Sequence, residues 1–175
     1  NVANLKSFIY PNLYSIHDMS SDVGIPSDSP EDDESTVAGP MRVRLPQLCQ
    51  LSHECLKTDG IFLLDNGVEL LMWIGRSVNP SYIATLFSIP SFDNVDMATL
   101  QIHSENSDFS SRVSAVIIAL RQQRSRHMQL HFIREGDGAA EAYFARYLAE
   151  DRANFNGGAL SYTEYYSVVV RAMSS

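Results

Sequence analysis

The stretch Asp59 to Pro80, DGIFLLDNGVELLMWIGRSVNP, constrains the fold more than any other part of the chain. Two apolar runs, Ile61 to Asp65 and Val68 to Ile74, close on Asn66-Gly67, a pair whose tolerance of positive φ suits a two-residue type I′ hairpin. Successive strand residues face opposite sides of a sheet. Here Ile61 and Leu63 on one side and Phe62 and Leu64 on the other are all apolar. Both faces therefore need cover. An antiparallel pair buried on both sides predicts a central sheet between helical layers, an α/β (α+β) architecture and not a one-faced meander.

Covering helices are legible on either side. Asn79 to Phe87 predicts a short helix with Pro80 at its entry, and Asp108 to Arg124 a long one. Phe109, Val113, Val116, Ile117 and Leu120 share one face of the latter, Ser107 stands at its N-cap, and Arg121, Arg124 and Arg126 follow at its C-terminal end, where cations suit the helix dipole. Leu13 to His17, Thr99 to His103 and Gln129 to Glu135 read as strands, and Gln47 to Leu56 as a short helix. A helix is expected from Ala139 to about Asp151 with Phe144 and Leu148 inward, then a turn at Asn156-Gly157-Gly158. A last helix opens on the capping box Ser161-Tyr162-Thr163-Glu164 and carries Tyr162, Tyr166, Val169 and Met173 at helical spacing.

At 175 residues and 45% apolar, the chain has enough material for one cored domain with an appendage. Asn1 stands where an initiator methionine would, so a piece of a longer protein is expected. The apolar runs fall short of a membrane span. The net charge of -8 argues against nucleic acid as a partner, and it is unevenly spread. Asp18 to Gly39 holds seven acids and no Lys or Arg, leaving -1 for the rest. That segment has almost no large apolar side chain and is expected to be a mobile acidic insertion. Ser29, before Pro30-Glu31-Asp32, is a phosphorylation candidate there, but a solvated spacer is the preferred reading, since any serine in an acidic loop invites that assignment.

Chemistry is hard to find. Cys49 and Cys55 form neither a disulfide framework nor a zinc pattern, which fits a reducing, cytosolic setting, and Cys55 reads as a small buried hydrophobe. His127, His131 and Glu135 recur at four-residue spacing, but the alternation of Gln129 to Glu135 as a strand would separate them. No G-x-S-x-G elbow and no phosphate-cradling glycine pattern occurs. Arg121, Arg124, Arg126 and His127 make a basic cluster read first as suiting the helix dipole and only second as meeting an acidic partner or lipid headgroups, and Trp73 beside Arg76 is read as core before surface anchor. No catalytic, cofactor-binding or metal-binding residue is assigned, and the binding residues are left open.

The pattern from Asp59 to Pro80, an aspartate turn, an apolar strand, a glycine hairpin and a strand ending Trp73-Ile74-Gly75, resembles the gelsolin-like domain. With LYSIHDM at Leu13 to Met19, SFDNVD at Ser91 to Asp96, RQQRSR at Arg121 to Arg126 and YLAEDR at Tyr147 to Arg152, the chain resembles the C-terminal end of the Sec24 family. These are cargo-adaptor subunits of coat protein complex II. The resemblance implies a mixed sheet of about five strands between helices over residues 13–135, preceded at 1–12 by the end of a helical region and followed at 136–175 by a C-terminal helical segment. It implies a non-enzymatic structural and protein-interaction domain in endoplasmic reticulum to Golgi transport. The parent would work with a Sec23-type coat subunit, a Sar-type GTPase and cargo, as a peripheral coat on the cytosolic face of the endoplasmic reticulum. A gelsolin-type actin or phosphoinositide binder is the alternative. Calcium-binding gelsolin domains pair an aspartate, which Asp59 could match, with a glutamate in the next helix. Here that helix is PSYIATLF, so no tight calcium site is expected.

Overall fold

A computed structural model describes residues 10–25, 42–124, 127–148, 153–155 and 158–160. Its centre is a five-stranded mixed sheet of β1 (Asn12–Ser15), β2 (Leu48–Cys49), β3 (Ile61–Asp65), β4 (Leu70–Ile74) and β5 (Leu130–Arg134), in the order β2-β1-β3-β4-β5. Every pairing is antiparallel except β4 with β5. Three helices accompany it: α1 (Pro80–Phe87), α2 (Asp108–Gln122) and α3 (Gly138–Ala145). A two-stranded ribbon, β6 (Ala153–Phe155) with β7 (Gly158–Leu160), stands apart from the sheet, in a stretch where no strand is expected from the sequence.

All ten residues of β3 and β4 are buried, and they divide between two cores as the alternation predicts. In register, Ile61 faces Ile74 and Leu63 faces Met72; these join Ile83, Leu86 and Phe87 of α1 and Val113, Val116, Ile117 and Leu120 of α2. Phe62 opposite Trp73, and Leu64 opposite Leu71, face the other way onto Leu51, Phe144 and Leu148. Full burial of each such leucine or isoleucine contributes about 1.5–3 kcal/mol.

Local chemistry starts and stops these elements. Asn79 accepts from Ser81 N–H at the head of α1, whose N1 position is Pro80, and Ser88 closes it at φ 59°. At α2, Ser107 Oγ accepts from Ser110 N–H (3.0 Å) and Ser110 Oγ accepts from Ser107 N–H (3.1 Å), a reciprocal cap. Gly75 ends β4 where only hydrogen fits: a Cβ there would collide with the Thr58 carbonyl, which accepts from Ser77 N–H (2.8 Å).

Four expectations need correction. The Asn66-Gly67 turn is not a two-residue type I′ hairpin. Asp65 pairs with Leu70, leaving a four-residue connection, and Asn66 is not among the residues with positive φ. Its side chain instead accepts from Val68 and Glu69 N–H, both at 2.9 Å. Gln47 to Leu56 is not a helix: Leu48 and Cys49 pair with Tyr14 and Leu13 as an edge strand, and only His53–Cys55 makes a 3-10 turn. Thr99 to His103 is not a strand. Asp96 caps a 3-10 turn over Met97–Thr99 by accepting from Ala98 N–H (2.9 Å), and the chain then passes the β5 edge without joining it. Finally α3 ends at Ala145, well before Asp151, with Arg146 to Leu148 in 3-10-type bonds.

The acidic segment divides. Residues 18–25 belong to the packed domain: Val23 is buried, and Arg112 of α2 donates to Ser20 and Val23 carbonyls at 2.8 and 3.2 Å. Residues 26–41, with Ser29, lie outside the described residues, as do the turn positions 156 and 157 and the final helix expected at 161–175.

Candidate functional site

The two arginines of the basic cluster that are described both turn toward the protein. Arg124 Nη2 donates to Asp65 Oδ2 at 2.8 Å, with side chains 5% and 1% exposed, so this ion pair lies inside the domain at the hairpin end of β3. Asp65 Oδ1 also accepts from Gly67 N–H (2.8 Å), which ties the pair to the turn. The neighbouring Tyr14 hydroxyl is pushed well above its ordinary value, first by burial and then by the Asp65 carboxylate. Arg121 Nε donates to Met128 O (2.9 Å), and burial pulls its guanidinium down. Arg126 lies outside the described residues, and His127 is exposed. These placements suit helix-end anchoring, not a cationic landing surface.

The histidine spacing gathers no ligand set. His131 Nε2 sits 3.4 Å from Glu69 Oε2, whereas Glu135 Oε2 accepts from Arg76 N–H (2.7 Å) at the far end of β5. Among the described residues no three His, Cys, Asp or Glu side chains converge. Asp59 is exposed in the turn before β3, and α1 carries no acid. Trp73 is core, 2% exposed with its Nε1 donating to Glu141 Oε1 (3.4 Å), while Arg76 is exposed. Cys49 and Cys55 are both half-buried thiols, and burial pushes the Cys49 thiol up, away from reactivity.

One constellation escaped the sequence reading because its members are near neighbours in an ordinary strand end. Ser15 Oγ lies 3.3 Å from His17 Nδ1, and His17 Nε2 lies 3.2 Å from Asp18 Oδ2. The residue types match a nucleophile, base and orienting acid. The geometry does not, because Ile61 N–H donates to the same Nδ1 at 3.1 Å and occupies the lone pair a base would use. Ile16 N–H donates to Ile61 O at 2.9 Å alongside. The imidazole thus fastens the end of β1 to β3.

At the hairpin's other side, the Tyr143 hydroxyl donates to Glu69 Oε1 and lies 3.0 Å from the Tyr147 hydroxyl. The Glu69 acceptor, then Tyr147, holds the Tyr143 proton on well above the usual phenol range. This cluster borders a surface groove of about 460 Å³ that includes Met97, His131 and Phe132. A second groove, about 400 Å³, lies between α2, β5 and the Leu100–Ile102 segment, with Arg121 in its wall. Both are open and shallow, with surfaces suited to side chains of a partner and no converging reactive groups. No helix among the described residues is long and apolar enough to cross a membrane.

Comparison with known proteins agrees with this geometry. Residues 42–101 match the family model for the gelsolin repeat. The chain is 31% identical over 157 residues, 86% of its length, to "Protein transport protein SEC24" of Coccidioides immitis, covering 16% of that protein. It is 29% identical over 178 residues to the Podospora anserina protein of the same name, covering 98% of this chain and 17% of that one. Human "Protein transport protein Sec24C" is 34% identical over 120 residues, 69% of this chain and 11% of the relative. The crystal structure of the human COPII-coat protein Sec24c superposes with a TM-score of 0.70 at 27% identity, covering 100% of this chain and 21% of that one. The chain therefore spans about a sixth of the length of the fungal relatives. A two-faced sheet between helices, the gelsolin-repeat match and the relatedness over nearly the whole chain place it in the Sec24 protein-transport family, as a C-terminal part built on a gelsolin-like domain.

Proposed function

We propose that the chain serves as a non-enzymatic scaffold and protein-interaction domain of a COPII cargo adaptor in transport from the endoplasmic reticulum to the Golgi. The observation that carries this is the double burial of β3 and β4. The centre of the domain is occupied by packing, and its polar groups are spent on holding elements together, as at Asp65–Arg124 and His17–Ile61. In this reading residues 13–135 form the gelsolin-like unit, into which the first part of the acidic stretch, up to residue 25, is packed. Residues 136–175 form a C-terminal segment and 1–12 the end of a preceding helical region. The complete parent would pair with a Sec23-type subunit, act with a Sar-type GTPase and bind cargo, on the cytosolic face of the endoplasmic reticulum and on coated vesicles. Cofactors and metals have no part in it.

The test is a chimera in which this chain replaces the corresponding segment of a full-length Sec24 relative, added to liposomes with a Sec23-type partner and the GTPase. Membrane recruitment equal to that of the unaltered subunit is expected. A chimera that folds, by circular dichroism and a sharp melting transition, yet fails to pair or to be recruited would refute the proposal. The actin and phosphoinositide reading, which would draw on Arg121, Arg124 and Arg126, is disfavoured: Arg124 is buried in its pair with Asp65, and Arg121 Nε is held by Met128 O.

A further inference from the structure

Asn66-Gly67 carries a chemical liability as well as a turn. An asparagine followed by glycine loses its side-chain amide readily in water, because glycine has no Cβ to keep its nitrogen away from the asparagine Cγ. In the folded domain every group that this reaction needs is engaged. The nucleophile, Gly67 N–H, donates to Asp65 Oδ1 at 2.8 Å, and the carboxylate opposes loss of its proton. Asn66 Oδ1 accepts from Val68 and Glu69 N–H, both at 2.9 Å, and Nδ2 donates to Glu69 Oε1 at 3.4 Å, so the side chain is fixed at both ends. Asp65 is itself anchored on Arg124 inside the domain. Asn66 is 2% exposed although it lies in a connection, which keeps water from Cγ.

We infer that Asn66 is a latent modification site, shielded while β3 and β4 are paired and converted to isoaspartate once they part, so that an opened chain is marked and barred from refolding. With the hairpin open, the Gly67 nitrogen gives its proton to solvent and bonds to Asn66 Cγ, the Cγ–Nδ2 bond breaks, and ammonia leaves. The resulting cyclic imide adds one water. Attack at Cγ breaks its bond to the Gly67 nitrogen and leaves aspartate; attack at the main-chain carbonyl breaks the original peptide bond and leaves isoaspartate, with the chain routed through Cγ. Water is the only co-reactant and no electrons are transferred. Aspartate keeps an oxygen for Val68 and Glu69. Isoaspartate lengthens the connection between Asp65 and Leu70 by one backbone atom and turns the former side-chain oxygen into a peptide carbonyl, and the fixed register of two wholly buried strands has no place for it.

The test incubates the chain at mildly alkaline pH across a series of guanidinium concentrations. Tryptic peptide Thr58 to Arg76, in which Asn66 is the only side-chain amide, is followed by mass spectrometry. Because the chemistry is slow beside opening and closing, its rate follows the population of open chain, so native Asn66 should react slower than unfolded Asn66 by about a hundredfold or more. Below the midpoint the logarithm of the rate should rise linearly with denaturant. In full denaturant Asn66 should match Asn156-Gly157, the other such pair in the chain. After denaturant is removed, size exclusion separates refolded from unfolded chain. Isoaspartate at position 66 should be confined to the unfolded fraction, and Asn66→Asp, with the same charge on an ordinary main chain, should refold. Equal rates with and without denaturant, a rate flat below the midpoint, or isoaspartate at position 66 in the refolded fraction would each overturn the inference. Failure of Asn66→Asp to refold would overturn it too, by assigning the block to charge and not to the rerouted main chain.

Discussion

Gly75 shows how a single hydrogen atom can set a motif. The glycine of Trp73-Ile74-Gly75 lies against the Thr58 carbonyl, and its N–H donates to Gly60 O at 2.9 Å, so the chain entering β3 and the chain leaving β4 touch backbone to backbone. Gly75→Ala must push them apart. A loss of about 2–3 kcal/mol is expected, read as a lowered urea midpoint at unchanged slope. Tyr14 gives a second test at this scale. Its hydroxyl is raised from an ordinary value of 10.0, so between that pH and the native value the unfolded chain releases a proton that the folded chain keeps. Stability from this group is complete below pH 10 and falls as pH rises further. Tyr14→Phe should therefore flatten the decline in melting temperature above pH 10 while leaving the neutral-pH value nearly unchanged. Neither feature is legible before the fold is known. The Trp-x-Gly pattern is visible in the chain, but its cause is a contact with Thr58, seventeen positions away. Likewise Tyr14 looks like any strand tyrosine until Asp65 arrives beside it.

Elements whose signal is their own periodicity were legible, and those decided by a neighbour were not. The β3–β4 pair, α1, α2 with its Ser107 cap, and β5 follow from spacing and capping alone. Gln47 to Leu56 has helical spacing at Leu48, Leu51, Cys55 and Leu56, yet Leu48 is 59% exposed because its segment is recruited to pair with β1. Thr99 to His103 alternates like a strand, but the Asp96 side chain claims the local backbone first. The Asn66 connection carries the clearest test of this competition. A type I′ turn would tolerate glycine at that position, whereas a loop held by the Asn66 carbonyl oxygen loses two acceptor bonds. Asn66→Gly and Asn66→Ala should each cost about 1–2 kcal/mol, and Asn66→Asp, which keeps the acceptor, should cost far less. Equal tolerance of all three in thermal melts would mean that the side chain does not hold the turn.

For the molecule as a whole, one ribbon serves two cores. Leu63 packs with Met72 against α1 and α2, and Leu64 packs with Leu71 against α3 and Leu51, so adjacent residues of β3 belong to opposite layers while sharing a backbone. No candidate site was legible in the sequence beyond this, because the grooves arise where loops and helices flank β5 and no local motif encodes them. If the ribbon joins the layers mechanically, neither can melt alone. Leu63→Ala and Leu64→Ala should each cost about 3–4 kcal/mol through lost burial and a residual cavity. The decisive measurement is the coincidence of two probes in each variant. Trp73, on the α3 side, reports one layer by fluorescence, and far-ultraviolet circular dichroism is dominated by helices of which α2, on the other side, is the longest described. In Leu63→Ala the weakened layer is the one Trp73 does not face, yet both transitions should shift together to the same lower urea concentration. A circular-dichroism transition that precedes the fluorescence change would show the α1–α2 layer detaching from a sheet that stays intact. The domain would then be two stacked units sharing a surface, each with its own melting transition.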